Sequence, residues 1–227
     1  MLALPTVSVP TIAIDGSDAR FPVRRIFCVG RNYADHAREM GGDPTREAPF
    51  FFTKPADAVV DSGSVLPFPT RTSDLHHEVE LVLALGSGGA DIAPEDAAEA
   101  IFGYAVGIDL TRRDLQAEAK AAGRPWDMAK GFDQSAPVGP IRRTRPDETA
   151  AITLAIDGSV RQRGRLSDMI WRIEEIVASL SSYVTLAGGD LIFTGTPAGV
   201  GRILPGAAMR GTVEGLAPIE VSLSDRI

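Results

Sequence analysis

The segment LHHEVELVLAL, Leu75 to Leu85, sets two glutamates one residue apart inside a run of valine and leucine. Its alternation reads as a strand. Residues i and i+2 of a strand point to one face, so Glu78 and Glu80 share a face while Val79, Leu81, Leu83 and Leu85 line the other. Two strand rises separate the glutamates by roughly 7 Å at Cα, and their long side chains can converge. Converging anions lose hydration and repel, so one must neutralise or both must meet a cation. A hard divalent ion with oxygen ligands is one solution. A solvent-facing sheet edge, kept soluble by its charges, is the other, and the segment taken alone favours it.

The rest of the chain bounds the answer. Its 227 residues suit one domain with a sound core: a hairpin appendage over 1–22 and a main unit over 23–227. A net charge of −7 argues against a broad nucleic-acid surface. The lone Cys28 leaves no internal disulfide and no CxxC zinc motif. No apolar run is long enough for a bilayer and no leader pattern is present, so a cytoplasmic protein without membrane contact is expected.

Turn signals fall at Asp15-Gly16 and Asp157-Gly158. RRIFCVG reads as a strand, FFFTKP as an apolar strand ended by Pro55, and IFGYAVGID as a strand closing at Asp109. RNYADHAREMGG reads as a short helix stopped by Gly41 and Gly42. TRRDLQAEAKAAG reads as a second, with Thr111 and Asp114 resembling a capping box and Gly123 as its stop. SDMIWRIEEIVASLSSYV reads as the best helix, capped by Ser167, with Met169, Ile173, Ile176 and Leu180 at helical period. Many short strands with a few inserted helices predict an α+β fold on a mainly antiparallel sheet.

Four local features stand together: the His36/Glu39 pair, the Glu78/Glu80 pair, Asp109 at a strand end, and Lys130 in PWDMAKGF. With FTGTPAGVG added, the set resembles the fumarylacetoacetate hydrolase family, over about Arg25 to Gly201. FPVRRIFCVGRNYADHAREMG and FFFTKPADAV look most like its small fumarylpyruvate and acylpyruvate hydrolases. The resemblance implies a mixed, mainly antiparallel β-roll or sandwich and a homodimer. It also implies Mg²⁺, with Mn²⁺ or Ca²⁺ as substitutes, held by Glu78, Glu80 and Asp109. The further aspartate ligand of some larger relatives has no counterpart in FCVG.

The same resemblance gives the other residues their roles. His36, aided by Glu39, takes a proton from the water that cleaves a 2,4-dioxo acid, and Lys130 and Gln116 stabilise the oxyanion. Arg113, Gln116 and Thr196 bind substrate, and the GGDP stretch is a closing lid. A distal substrate carboxylate is expected to meet Arg31, with Arg112 as the alternative.

Plainer readings stand beside these: a surface pair for His36 and Glu39, and a solvated helix face for Arg113 and Gln116. The TGTPAGVG loop lacks the Lys-Ser/Thr of a phosphate-binding loop. His76 and His77 suggest zinc but fit a supporting role better. Oxaloacetate decarboxylation, an isomerase or hydratase reaction, and a divalent-ion-binding protein without catalysis are the alternative functions.

Overall fold

The computed structural model describes residues 8–39 and 48–225, leaving aside the side chains of residues 37–39. A seven-stranded sheet forms its centre, in the spatial order Phe50–Lys54, Arg25–Gly30, Asp190–Phe193, Val79–Leu85, Ile101–Ile108, Ala136–Val138 and Val59–Asp61. Arg25–Gly30 runs parallel to Asp190–Phe193, and Ala136–Val138 parallel to Val59–Asp61; the remaining pairs are antiparallel. A second sheet orders Ser159–Arg165, Ala151–Ile156, Ala208–Val213, Ile219–Leu223 and Val65–Leu66. A three-stranded ribbon joins Thr111–Arg112, Leu75–His77 and Gly201–Arg202. This is an α+β fold of mixed, mainly antiparallel sheets with few helices.

The glutamate-bearing strand is central and not an edge, and every residue from Val79 to Leu85 is buried. The solvent-facing reading of this segment is therefore wrong. Val79, Leu81, Leu83 and Leu85 pack with Ile152, Leu154 and Val213 of the second sheet and with Ile176 and Leu180. Val82 and Ala84, which share the glutamates' face, pack with Phe193, Ala105 and the hairpin residues Ile12 and Phe21. Each large apolar side chain buried in this way contributes about 1.5–3 kcal/mol.

Both predicted hairpins form: Thr11–Ile14 with Ser17–Pro22, and Ala151–Ile156 with Ser159–Arg165. In the second, Asp157 (φ 49°) and Gly158 (φ 77°) are both left-handed, as a two-residue turn between twisted strands requires. Two helix starts differ from expectation. Residues Leu166–Asp168 make a 3₁₀ turn, closed by the Asp168 carboxylate accepting from Arg165 N–H at 2.9 Å. Met169 then bridges to Tyr33, and no further helix forms until Ile173–Ser181, where Glu175 accepts from Arg172 N–H at 2.9 Å. Ser167 caps nothing.

Thr111 is likewise no cap, because it belongs to the short strand paired with Leu75–His77. The Asp114 carboxylate instead accepts from Thr72 Oγ1 at 2.7 Å and Ser73 N–H at 2.8 Å, which ties the Arg113–Ala121 helix to the preceding loop. Gly123 ends that helix at φ 61°. The Ala34–Glu39 helix is present; its predicted stop at Gly41 and Gly42, and the GGDP lid, lie outside the described residues. Among the described residues no helix is long and apolar enough to cross a membrane.

Candidate active site

Strand register assembles the acidic group. Val79 pairs with Ile108 and Glu80 with Gly107, which sets Asp109 opposite Glu78. Asp109 N–H donates to the Glu78 carbonyl at 2.8 Å. Directly opposed residues of an antiparallel pair project to one face, so the third carboxylate joins the first two. Glu78 itself stands at the junction between Leu75–His77 and Val79–Leu85, and not within one continuous strand. One oxygen from each of Glu78, Glu80 and Asp109 lies within 4.8 Å of the others, and all three residues are buried.

Cations surround this group unequally. Lys130 Nζ donates to Glu78 Oε2 at 2.8 Å and to Asp109 Oδ2 at 2.6 Å. Arg113 Nη2 bonds Glu78 Oε1. Lys54 Nζ stands 2.8 Å from Asp109 Oδ1 and donates to the carbonyls of Leu110 at 3.1 Å and Lys130 at 2.5 Å. Glu80 Oε2 meets a neutral donor, Gly195 N–H, at 2.6 Å.

The titration behaviour follows from that imbalance. Burial works against ionised Glu78, yet Lys130 and Arg113 hold its carboxyl well below the usual range. Burial also opposes the Lys130 ammonium, but Asp109 and Glu78 keep its pKa above the ordinary lysine value. For Glu80, burial and the neighbouring Asp109 and Glu78 all push the carboxyl well above normal. The group is short of positive charge at Glu80, and three converging buried carboxylates suit a hard divalent cation. Among the described residues, Glu78, Glu80 and Asp109 are the group that can hold one.

Above them opens a cleft. Glu78, Glu80, Lys130 and Thr196 line it, as do Arg113 and Gln116 from one helix face. His36 and Arg31 line it too, from the segment that follows Arg25–Gly30. Asp109 lies beneath, fully buried. Glu39 closes the His36 helix, and its side chain is outside the described residues. Arg112 packs instead over the Phe132 ring at 4.3 Å and donates to Met128 O at 3.3 Å.

His76 and His77 are engaged elsewhere, with Asp74 Oδ1 at 3.0 Å and Gln162 Oε1 at 2.9 Å. The Thr196 hydroxyl donates to Val79 O and accepts from Gln162 Nε2, each at 2.8 Å, so its one proton is committed to the framework.

Several participants escaped the sequence reading. Lys54 is one; its signal was a lysine closing the apolar run FFFTK. Phe50, Phe52 and Trp126 form an aromatic wall of the cleft, and Lys120, seven residues after Arg113, extends the helix face. Asn32 ties the His36 segment to the TGTP loop, donating to Thr194 O at 2.8 Å and Trp171 O at 3.0 Å.

The model of the fumarylacetoacetate (FAA) hydrolase C-terminal family matches residues 25–224. The chain is 42% identical over 183 residues to the fumarylpyruvate hydrolase of a Ralstonia species, covering 80% of this chain and 95% of that one. It is 39% identical over 206 residues to a mitochondrial oxaloacetate tautomerase of Arabidopsis thaliana, covering 89% and 92%. The crystal structure of fumarylpyruvate hydrolase from Pseudomonas aeruginosa in complex with Mn²⁺ and pyruvate superposes with a TM-score of 0.96, at 48% identity over 100% of both chains.

Proposed function

The chain belongs to the fumarylacetoacetate hydrolase family, and from that premise we propose that it hydrolyses an acylpyruvate between C3 and C4, with fumarylpyruvate as substrate and fumarate and pyruvate as products. The observation that carries this reading is one cleft lined at once by Glu78 and Glu80 of the acidic group, by His36 and by a set of cationic side chains. Glu78, Glu80 and Asp109 would hold a divalent cation, Mg²⁺ or Mn²⁺, which when bound would supply Lewis-acid polarisation of the dicarbonyl.

The chain's own residues do the rest. His36, steadied by Glu39 on the same helix, takes a proton from the water that adds to the C4 carbonyl. Lys130 and Gln116 offer N–H donors to the oxyanion that forms there. When the C3–C4 bond breaks, C4 leaves as the new carboxylate and the pyruvate enolate takes a proton at C3. Arg113 and the Thr196 loop orient the pyruvyl end.

The far end of the cleft supports a second negative charge on the substrate. Arg31 stands over the Phe50 ring at 5.9 Å, and Lys120 lines the same cleft. Partial burial, with Arg31 and Arg113 as like-charged neighbours, lowers the Lys120 pKa. Among the described residues neither Arg31 nor Lys120 has a carboxylate partner, so either can meet a distal carboxylate of the substrate. Oxaloacetate is the second reading, favoured by the tautomerase relative; it also carries two carboxylates. The homodimer belongs to the proposal as well, and sedimentation measures it.

Pure protein incubated with fumarylpyruvate, acetylpyruvate or oxaloacetate tests the assignment by ultraviolet loss of the enol chromophore. Cleavage of fumarylpyruvate that EDTA abolishes and Mg²⁺ or Mn²⁺ restores is the expected result. Turnover of oxaloacetate alone would overturn the hydrolase reading, and no turnover of any dioxo acid would overturn both.

A further inference from the structure

Gln162 stands outside the cleft, fully buried, on the otherwise largely exposed strand Ser159–Arg165. Its carboxamide uses all four of its hydrogen-bonding positions. Oε1 accepts from Val79 N–H at 3.0 Å and from His77 Nδ1 at 2.9 Å. Nε2 donates to Thr196 Oγ1 at 2.8 Å and to Pro197 O at 2.9 Å. Only this orientation gives the Val79 N–H an acceptor and the Pro197 carbonyl a donor. His77 must then carry a proton on Nδ1 to donate to that oxygen.

The two ends of the amide hold different parts of the site. The oxygen grips the residues on either side of Glu78. The nitrogen grips the two residues after Gly195, whose N–H bonds Glu80. The loop lies directly against this strand: a Cβ on Gly164 would stand 2.7 Å from Pro197 Cβ, and one on Gly199 would stand 2.3 Å from Arg161 O. Glycine at both positions is what lets loop and strand approach this closely.

We infer that Gln162 is a positioning residue that fixes Glu78 and the Thr196–Pro197 loop relative to one another, so that one amide sets both cation affinity and substrate placement. The inference rests on Glu78, Glu80 and Asp109 as the cation-holding group. Side chains that orient ligands without touching the ion usually change metal affinity about 10–100-fold when removed.

The test titrates Mn²⁺ calorimetrically into wild type, Gln162→Met and Gln162→Glu, with thermal melts to establish folding. Gln162→Met, similar in size but without the amide, should bind Mn²⁺ about 10–100-fold more weakly. Gln162→Glu keeps the acceptor half and loses both donors. It should bind Mn²⁺ nearly as well as wild type and raise KM for the acylpyruvate about two- to tenfold, the range of a lost hydrogen bond, with little change in kcat. A folded Gln162→Met with wild-type Mn²⁺ affinity overturns the inference. Where that variant does not fold, an unchanged KM in Gln162→Glu overturns it. A wild-type chain that takes up no Mn²⁺ removes the cation assignment itself, which is a separate failure.

Discussion

Replacing Glu80 by alanine removes the carboxylate that, among the described residues, lacks a cationic partner of its own, while Glu78 keeps Lys130 and Arg113. The charge deficit that favours a divalent ion goes with it, so Glu80→Ala should lose measurable Mn²⁺ binding by calorimetry and keep its fold. Unchanged affinity would contradict the ligand assignment. His36→Ala should slow fumarylpyruvate hydrolysis about 10²–10⁴-fold, the usual loss for a general base, with Mn²⁺ binding retained. Wild-type kcat in that variant would remove His36 from the mechanism. At this scale strand alternation placed Glu78 and Glu80 on one face, while Asp109 and Lys130 joined them only through the family resemblance. Lys54 and Gln162 were not legible. Their partners, Asp109 and Thr196, are tens of residues away in sequence, and only register and packing bring them together.

Among the elements, the Arg113–Ala121 helix carries Arg113, Gln116 and Lys120 into the cleft, and Asp114 anchors its first turn. Burial raises the Asp114 pKa, but hydrogen bonds from Ser73 N–H, Thr72 and Leu115 N–H outweigh it and hold the carboxyl below its ordinary value. Asp114→Ala should cost about 1–2 kcal/mol at neutral pH, the scale of a lost capping or charged hydrogen bond. A depressed carboxyl stabilises the fold above its unfolded pKa of about 3.9 and ceases to as pH falls through the folded value. Urea melts at pH 7 and pH 3 should therefore show the gap between wild type and variant narrowing in acid. A gap independent of pH would contradict the anchoring role. The helix was read correctly as an element, but its cap was not, since Thr111 is claimed by a strand pairing invisible in local sequence. Ser167 failed for a similar reason: Met169 bridges to Tyr33 and delays the helix to Ile173.

For the molecule as a whole, hairpin signals and apolar alternation were enough to anticipate an α+β fold on mainly antiparallel strands. The order of strands in the central sheet was not, because the parallel pair of Arg25–Gly30 and Asp190–Phe193 joins distant segments. That pairing brings the His36 segment and the TGTP loop to one end of the sheet, where the cleft opens. Specificity is a property of this assembled cleft. Arg31→Met and Lys120→Met should each raise KM for fumarylpyruvate while barely affecting acetylpyruvate, which has no distal carboxylate; equal losses on both substrates would move these residues to the pyruvyl end or the fold. The central claim is hydrolytic carbon–carbon cleavage, and its most direct measurement is product analysis after turnover of fumarylpyruvate in ¹⁸O-labelled water with Mn²⁺. The account predicts fumarate and pyruvate in equal amounts, with one labelled oxygen in the newly formed fumarate carboxylate. Consumption of the enol without fumarate, or fumarate without label in that carboxylate, would contradict it.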